Sequence, residues 1–420
     1  MPPRPPSSVP TLRVLVLAQY FTPEPITKPG DLAQALCERG HDVTVLTGLP
    51  QYPHGARYPG YALRPWQRDT LGAVPVLRMA GYAYHGRSVL RRCANFGAFA
   101  LAAVLARPLL KRPQVIYVWH PPLSIGAAGW LLARLMRVPF VYDVQDIWPD
   151  VIVAAGLIQN RRAIRALEAL ERFIYRRASR ILVPNERARA VLIEKGALPD
   201  RLCVTHHWVD GDLARQGTSA ERAATRESHG WRNRFVVLFA GNLGIAQDLT
   251  TVVKAAALLT DPRIVLVFAG EGTARKELES VARDIGVADR TVFLGWRQHQ
   301  EMPALMAAAD ALLVHLADSP VFEAVVPTKT VAYLAAGRPI VMAVRGAAAD
   351  LVQTTGTGVV VAPGDPAKLA ATLDALAQLD EESRAVMGAR GRARFDDTFS
   401  KACVVPQYES ALDSVVRRLT

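Results

Sequence analysis

Short apolar runs alternate with helix-like segments along most of the chain. Residues 12–18 (LRVLVLA) are typical of a fully buried strand, and residues 31–39 are typical of a helix that Gly40 ends. Further strands are predicted at 42–47, 114–119, 138–144 and 180–184, and further helices at 122–136 and 161–177. Continuous apolar strands that alternate with helices indicate parallel sheets covered on both faces, so the pattern predicts an α/β fold.

The alternation stops in the polar segment 210–233 and then starts again. The second series has predicted strands at 234–241, 263–270, 291–294, 311–316 and 339–344, and predicted helices at 248–259, 275–285, 300–308 and 328–336. We therefore predict two doubly wound, Rossmann-like domains that face a central cleft. The predicted boundaries are a disordered tail at 1–11, an N-terminal domain at 12–209, a linker at 210–233, a C-terminal domain at 234–402 and a last helix at 403–420.

The charge of the chain leaves several classes of partner open. The 420 residues carry a formal net charge of +12. Three interpretations compete: solvated arginines without a partner, a surface drawn to anionic phospholipid or a phosphorylated substrate, and nucleic-acid binding. The third has no zinc-ligand spacing, RNA-binding signature or long basic tail to support it, so we expect no nucleic-acid partner.

Cysteine spacing and apolar length both favour a cytoplasmic protein. The chain has four cysteines, Cys37, Cys93, Cys203 and Cys403. Their spacing suits neither a metal site nor a disulfide framework, so we expect reduced thiols. No run approaches the roughly 20 apolar residues that a membrane-spanning helix needs. The nearest, residues 94–106 between basic flanks, is predicted to be a buried helix or, alternatively, an interfacial helix on the inner face of the plasma membrane.

The segment FAGNLGIAQDL at 239–249 carries the strongest local signal for a ligand site. A buried strand ends at Gly241 and Gly244, and a helix begins near Gln247. Glycines allow close approach of the backbone, and a helix start offers N–H groups to an anion, so we predict a phosphate site to which Asn242 adds a donor. A plain strand-to-helix turn is the alternative. The segment is neither a P-loop nor a GxGxxG fingerprint.

Two further segments of the second series add candidates. FAGEGTARKELE at 268–279 repeats the strand-glycine turn, with Glu271 between Gly270 and Gly272. In FEAVVPTKT at 322–330 a helix is predicted to start after Pro327, with Lys329 in its first turn. A lysine is poorly placed beside the positive end of a helix dipole unless an anion lies between them. A solvent-exposed lysine is the alternative.

The first series places polar residues after three predicted strands. Asp146, in DVQDIWPD at 143–150, is predicted to bind or deprotonate an acceptor hydroxyl, with a helix-capping role as the alternative. The loop QYFTPEPITKPGD at 19–31 brings Glu24 and Gly30 to the same edge. His120 ends another predicted strand, although a lone histidine is more often structural.

These segments together resemble glycosyltransferase family 4, which has the GT-B fold. Within it the chain is similar to the subgroup with fucosamine-type and colanic-acid-type transferases of bacterial surface polysaccharide assembly. The resemblance runs from about Leu12 to the C-terminus. It is carried by QYFTPEP, LAQALCERGHDVTVLT, HPPLSIGAAGWLLARLMRVPFVYDVQDIWPD, AGNLGIAQDL, AGEGTARKELE with VFLGW, and PTKTVAYLAAGRPIV.

The resemblance implies a retaining transfer of a hexosyl or N-acetylhexosaminyl group from a nucleotide sugar, with a UDP-sugar as the expected donor. It places the donor on the C-terminal domain and the acceptor on the N-terminal domain. The basic surface and the segment 94–106 predict a saccharide or polyprenyl-linked acceptor. The resemblance also implies that the last helix crosses back to the first domain. A DxD pair, the expected metal signature, is absent from the acidic segment, so we expect no metal and no cofactor.

Individual positions carry the resemblance further and also depart from it. Asn242 and Gln247 stand where many family members have an arginine and a lysine that hold the diphosphate, and Lys329 is predicted to supply that charge. Many members have two glutamates eight residues apart, the second on the ribose, but this chain has Ala324 and Ala332 there.

Gly295 and Trp296 fall in the loop that usually meets the nucleobase, and Glu323 is predicted to orient a sugar hydroxyl. The candidate donor residues are Gly241, Asn242, Gly244, Gln247, Gly270, Glu271, Trp296, Thr328, Lys329 and Thr330. The candidate catalytic residues are Asp146, Glu323 and Lys329, and the acceptor-side candidates are Glu24, Gly30 and His120.

The predicted mechanism stabilises charge on the departing nucleoside diphosphate through helix N-termini, the Gly244 N–H and Lys329. Two alternatives stay open. A UDP-sugar 2-epimerase of the same fold would need no acceptor, although its usual carboxylates are not evident. A non-catalytic scaffold that binds sugar nucleotides is compatible with Ala332 at the position of the second glutamate.

Overall fold

A computed structural model describes residues 10–52, 55–84, 86, 88–154 and 158–418 of the protein. Of the predicted tail at 1–11, residues 1–9 lie outside this description. The chain divides into two compact units. The first ends at Thr205 and resumes at Val405, and the second is His206–Val404.

The first unit is built on an eight-stranded sheet. Its strands are β1 (Arg13–Leu17), β2 (Asp42–Gly48), β3 (Trp66–Leu71), β4 (Val74–Met79), β5 (Val115–His120), β6 (Phe140–Val144), β7 (Arg180–Val183) and β8 (Leu202–Val204). Its helices are α1 (Lys28–Glu38), α2 (Val89–Leu105), α3 (Leu123–Met136), α4 (Asp150–Ala154), α5 (Arg161–Arg177) and α6 (Glu186–Glu194). The strand order is β3-β4-β2-β1-β5-β6-β7-β8, and only β3 and β4 pair antiparallel among these described strands.

The sheet of the first unit is wound outward from its centre in both directions. Val16 of β1 lies opposite Val45 of β2 on one side and opposite Tyr117 of β5 on the other. The strand order therefore reverses between β1 and β5. In doubly wound sheets ligands bind at this switch point, outside the carboxyl ends of the strands.

The second unit is built on a six-stranded sheet. Its helices are α7 (Ser219–Ser228), α8 (Leu249–Ala256), α9 (Arg275–Asp284), α10 (Met302–Ala308), α11 (Thr328–Ala336), α12 (Ala347–Thr355), α13 (Pro366–Gln378) and α14 (Glu381–Arg394). Its strands are β9 (Phe235–Ala240), β10 (Ile264–Ala269), β11 (Thr291–Gly295), β12 (Ala311–His315), β13 (Ile340–Ala343) and β14 (Gly358–Val360). The order is β11-β10-β9-β12-β13-β14, with every pair parallel, so the switch point lies between β9 and β12.

Both faces of the second sheet are buried. Val236 and Leu238 of β9 belong to one apolar cluster, whereas Val237 and Phe239 belong to another. Alternate side chains of a strand point to opposite faces, so a strand covered on both sides reads as a continuous apolar run. This burial explains why the central strands were predictable from the sequence.

The segment predicted as a linker at 210–233 is folded into the second unit. Helix α7 begins with a capping box formed by Thr218 and Glu221. Arg222 and Arg226 of this helix pair with Asp310 at 2.7 and 2.9 Å. Ion pairs hold this helix, so its sequence is polar. The polar sequence was therefore interpreted as an interdomain linker.

The last helix, α15 (Lys401–Arg417), packs on the first unit from Val405 onward. Tyr408 is fully buried and meets the ring of Tyr117 edge-on at 6.1 Å. Glu409 pairs with Arg39 at 2.7 Å and with His41 at 2.8 Å. The predicted return of the last helix to the first domain is confirmed.

Candidate functional site

In the second unit the backbones of two strand ends lie close together beside the switch point. Gly241 follows β9 with φ 136° and Gly270 follows β10 with φ 150°. A Cβ on Gly270 would overlap the carbonyl oxygen of Gly241, and one on Gly272 would overlap that of Leu243. Both the backbone angle and the space therefore require glycine here. The N–H groups of Gly241 and Gly270 donate to the carbonyls of Ala269 and Gly295 at 2.9 and 2.8 Å, so the glycines allow the two strand ends to pack closely.

Lys329 places an amine against this glycine turn. Its Nζ lies 3.6 Å from the centre of the Phe239 ring, and a Cβ on Gly241 would be 2.9 Å from it. The Nζ atom is buried and has no hydrogen-bond partner among the described residues. Burial lowers the pKa of Lys329 to about 7. A buried amine without a partner is unusual in a folded protein and indicates a place for an anion.

Helix α11 holds Lys329 in this position. The helix starts directly after Pro327, so Lys329 lies in its first turn as predicted. The hydroxyl of Tyr333, one turn further on, accepts a hydrogen bond from the backbone N–H of Ala240 at 2.8 Å. This bond ties the helix to the end of β9. The free N–H groups of the helix start add to the attraction for an anion.

His315, which sequence reasoning missed, lies at the same switch point. It ends β12, and its Nδ1 is 2.8 Å from the carbonyl oxygen of Gln247. A carbonyl only accepts hydrogen bonds, so Nδ1 carries the proton. Burial lowers the pKa of this ring, which is therefore neutral and has Nε2 as an acceptor. Nε2 is buried without a partner among the described residues, an arrangement that suits a ligand hydroxyl.

The structure joins Gly244 and Gln247 by a hydrogen bond within their turn. The N–H of Gly244 donates to Oε1 of Gln247 at 3.1 Å, so both groups are engaged within the turn. A 3-10 turn at Ile245–Gln247 precedes α8, and Asp248 adopts φ 44°. The Gly244 N–H is therefore engaged within the turn, whereas the side-chain NH2 of Gln247 is not, and a donor role for Gln247 stays a prediction. Asn242 is exposed.

Other predicted donor residues line the neighbouring turns. Glu271 pairs with Arg275, and a Cβ on Gly295 would lie 3.2 Å from both side chains. Trp296 follows with 67% of its surface exposed, an unusual state for a large aromatic side chain.

The predicted residues of α11 and the preceding loop differ in burial. Thr328 is exposed, whereas Thr330 is buried with its hydroxyl lacking a partner among the described residues. Ala324 and Ala332, at the positions of the two glutamates, are both buried. The carbonyl of Glu323 accepts the N–H of Ala347 at 2.7 Å, which places Glu323 at the start of α12. Its catalytic role stays a prediction.

In the first unit, Glu24 anchors its own loop. It is 3% exposed, and its carboxylate accepts backbone N–H groups of Phe21 at 2.8 Å and of Gln51 and Tyr52 at 2.7 Å. The predicted contact with an acceptor is therefore not supported, because both oxygens already hold the backbone. Gly30 is buried in the first turn of α1, where a Cβ would approach Leu71 to 3.0 Å, and its acceptor-side role stays a prediction.

His120 ends β5 at the switch point of the first unit. It is 1% exposed, and neither ring nitrogen has a hydrogen-bond partner within the described part of the chain. Its ring meets those of Tyr142 and Trp148 edge-on at 5.5 and 5.8 Å. Burial lowers the pKa of His120 to about 3, so the ring is neutral near pH 7.

The acidic segment after β6 separates into structural and available groups. Asp143 is buried and accepts hydrogen bonds from Tyr117, from Tyr408 at 3.4 Å and from Gln145 at 2.6 Å. Asp150 pairs with Lys195 at 3.0 Å. Each of these two carboxylates therefore already has partners within the protein.

Asp146 is the available carboxylate of this segment. It is half-buried, without a side-chain partner among the described residues, and burial raises its pKa. A perturbed carboxyl at a strand end is a candidate for acid–base chemistry. No group of three or more His, Cys, Asp or Glu side chains in the described ranges could hold a metal. Metal independence stays a prediction.

Comparison with known proteins gives two family matches and several relatives. Residues 27–208 match the family described as "Glycosyl transferase 4-like domain", and residues 221–394 match "Glycosyl transferases group 1". A protein of Escherichia coli (strain K12) named for colanic acid biosynthesis, the glycosyl transferase WcaI, is 26% identical over 78% of this chain and 82% of its own length. The Pseudomonas aeruginosa protein named as the glycosyltransferase WbjE is 27% identical over 74% of this chain and 79% of its own.

Solved structures show the same architecture. Anabaena HepE, solved in complex with UDP, superposes with a TM-score of 0.71 at 20% identity and covers 96% of this chain and 100% of its own. Sucrose-phosphate synthase from Thermosynechococcus elongatus gives 0.75 at 17% identity, with coverage of 97% and 98%. These likenesses confirm the predicted α/β fold with two Rossmann-like domains.

Proposed function

Because the chain belongs to glycosyltransferase family 4 and has the GT-B fold, we propose that it moves a sugar from a UDP-sugar to a saccharide acceptor in bacterial surface polysaccharide synthesis. Glycosyl transfer follows from the family itself. The proposal further specifies UDP as the nucleotide and a hexosyl or N-acetylhexosaminyl group as the sugar. It also specifies a retaining, metal-independent reaction and a lipid-linked acceptor.

One observation carries the proposal for the donor: the buried, unpaired amine of Lys329 beside Gly241. A diphosphate at this turn would supply the negative charge that the amine lacks. It would also meet the N–H groups at the start of α11, which favour anions. The complex of HepE with UDP supports UDP as the nucleotide, and the name of WcaI supports a polysaccharide product.

Bond cleavage leaves negative charge on the departing nucleoside diphosphate. The protonated Lys329 and the α11 N-terminus are placed to stabilise that charge as it develops, and such preorganised groups lower the barrier more than they lower the ground state. Trp296 supplies an exposed ring on which a base can stack. His315 Nε2 accepts a hydrogen bond from a hydroxyl of the donor.

On the acceptor side, Asp146 is the group proposed to hold the attacking hydroxyl. Burial raises its pKa, which makes the carboxylate a stronger hydrogen-bond acceptor for that hydroxyl. In a retaining transfer the hydroxyl attacks from the face that the diphosphate leaves. The proton then passes to the leaving phosphate, with Asp146 fixing the orientation of the hydroxyl.

A thermal-shift screen against UDP, GDP, ADP, dTDP and their common sugars tests this proposal. A ligand that binds only the folded state adds about 2.7 kcal/mol of stability at a hundred times its Kd, so a site for UDP gives a clear rise in Tm. A rise with UDP and UDP-sugars alone is expected. No rise with any nucleotide would overturn the donor site, and conversion of a UDP-sugar without an acceptor would indicate an epimerase.

A further inference from the structure

The first unit contains an apolar cavity of about 200 Å³. Helices α2, α3, α4 and α5 and the loop after β6 enclose it. Its apolar lining residues include Phe96, Leu123, Trp148, Ile152, Leu167 and Leu170. An empty cavity of about 150 Å³ lined by aliphatic and aromatic side chains binds benzene, so this one has room for a hydrocarbon group.

The cavity adjoins the candidate acceptor residues. Trp148 forms part of its wall and packs edge-on against Phe96 at 6.0 Å and against His120 at 5.8 Å. Asp146 lies two positions before Trp148 in the same loop. A ligand with its apolar part in the cavity would therefore have its polar end near the carboxyl ends of β5 and β6.

A cation stands at the edge of this apolar lining. Arg92 of α2 lines the cavity, and its guanidinium has no hydrogen bond or ion pair with the described residues. Arg92 lies near the loop after β1, because its charge acts on Tyr20 of that loop. Burial and then the charge of Glu24 raise the pKa of Tyr20, and the charge of Arg92 lowers it. An unpaired arginine beside an apolar cavity matches an amphiphile with an anionic head.

The apolar surface continues outward along α2. This helix is largely apolar in sequence, yet three of its leucines face solvent. The exposed fractions are 80% for Leu90, 61% for Leu101 and 64% for Leu105. The described chain includes no helix of the length and apolar character that a bilayer crossing requires. Exposed leucines on the helix that lines the cavity suit the rest of a long hydrocarbon chain better than they suit water.

We propose that this cavity binds the hydrocarbon chain of a phosphate-linked lipid, the carrier of the acceptor saccharide, with Arg92 at the phosphate. The proposal rests on the proposed function, because it names the acceptor class of that same transfer. It explains one apolar cavity, one unpaired cation and the exposed leucines of α2 with a single ligand. The saccharide itself would lie beyond the phosphate, towards Asp146.

Binding of geranyl monophosphate, measured by isothermal titration calorimetry on the full chain, tests the proposal. Inorganic phosphate and geraniol serve as the two partial probes. We expect geranyl monophosphate to bind at least tenfold more tightly than either. Equal binding of geranyl monophosphate and inorganic phosphate would reduce the site to an anion site and overturn the hydrocarbon role.

Gly97→Leu is the variant that fills the cavity with the least disturbance. Gly97 lines the cavity on α2, and a Cβ there meets nothing within 4 Å, so a larger side chain enters open space. Leucine also favours a helix more than glycine does, and the variant should fold. We expect at least a tenfold loss of geranyl monophosphate affinity, whereas Ala94→Leu, exposed on the same helix outside the lining, should bind normally. Unchanged binding in Gly97→Leu would overturn the proposal.

Arg92→Gln tests the phosphate contact of the lipid separately from its hydrocarbon contact. We expect about a tenfold loss for geranyl monophosphate and no loss for geraniol, and an equal loss for both would refute the phosphate role of Arg92. The Tm rise with UDP, recorded on every variant, keeps the two proposals apart. A protein that responds to UDP but not to geranyl monophosphate retains the proposed function and loses the lipid site. A protein without a UDP response loses the donor site instead.

Discussion

In the second unit β9 and β10 end in glycines beside the amine of Lys329, whereas in the first unit polar side chains near the end of β1 bond within the protein. Gly241 and Gly270 bond through their N–H groups to neighbouring carbonyls and present no side chain, and the Nζ of Lys329 lies beside Gly241. In the first unit the side-chain amides of Gln19 and Asn95 bond to each other at 2.6 Å. The same edge of two similar sheets is therefore prepared for different ligands.

The difference fits what each proposed ligand requires. A diphosphate carries concentrated charge and is best held by backbone N–H groups and a cation, which need close approach and hence glycine. A sugar or lipid acceptor is neutral over most of its surface and is held by shape, single hydrogen bonds and apolar contact. In the first unit the polar groups fix the loops, and Asp146 and the apolar cavity remain for the ligand.

Gly270→Ala should produce the largest effect, because it disrupts the close packing of the two strand ends in the second unit. The added Cβ overlaps the Gly241 carbonyl at a positive φ, so we expect a loss of about 3 kcal/mol or more in the free energy of unfolding. Urea denaturation measures it. Gly286→Ala is the control, because its φ of 73° is also positive but its Cβ meets nothing within 4 Å. Similar losses in both variants would attribute the effect to backbone angle alone.

Asp146→Asn and Asp143→Asn should separate catalysis from structure in the first unit. We expect Asp146→Asn to lower the transfer rate by about 10²-fold, because the attacking hydroxyl is no longer held in its orientation, with unchanged stability. Asp143→Asn should instead cost about 1–3 kcal/mol of stability, because an NH2 donor replaces one of the two acceptor oxygens in a buried hydrogen-bond network. A destabilised Asp146→Asn variant with normal turnover would assign Asp146 to the helix-capping role.

Lys329→Met removes the amine that lies against the glycine turn. UDP affinity should fall about 10–100-fold, since a hydrogen bond to a charged group contributes about 1.5–3 kcal/mol. The free variant should be at least as stable as the parent at pH 6. The pKa of Lys329 is lowered by burial, so its charge costs stability below pH 7, and the cost shrinks as the pH rises towards the unfolded pKa.

Lys254→Met, on the exposed face of α8, is the matched control. It removes the same charge from the same unit at a distance from any proposed ligand contact. UDP affinity in the two variants should differ by at least tenfold. Equal affinities would mean that Lys329 attracts the donor only as part of the overall charge.

The fold was predictable where burial is two-sided. Strands such as β9 and β10 are apolar at every position, and α5 was predicted with its observed bounds, Arg161–Arg177. The hairpin of β3 and β4 was missed, because β3 (WQRDTL) is a half-exposed edge strand with mixed polarity. Helix α7 was missed because its inner face is charged.

The candidate site was predictable where chain order alone fixes position. Gly241, Gly270 and Lys329 follow strands or begin a helix of one sheet, so the fold brings them to one edge. Glu24 was misjudged because its partners come from Gln51 and Tyr52, in a different loop. His315 carries no motif, although its place at the end of the buried run ALLVH is a signal that could have been used.

The pH dependence of UDP binding should be the smallest of these effects. It is the sharpest test of the role of the Lys329 amine at the glycine turn. In the free protein the pKa of Lys329 is about 7, so the amine is charged below that pH and increasingly neutral above it. If the diphosphate binds only the charged amine, UDP affinity falls about tenfold from pH 6.5 to pH 8, with proton uptake on binding. Calorimetry in buffers of different ionisation enthalpy measures both.

Lys329→Arg stays charged throughout this range and should lose the pH dependence. Parallel profiles for the two proteins would show that the affinity changes with some other group, and that the unpaired amine is not the reason the donor binds at these strand ends.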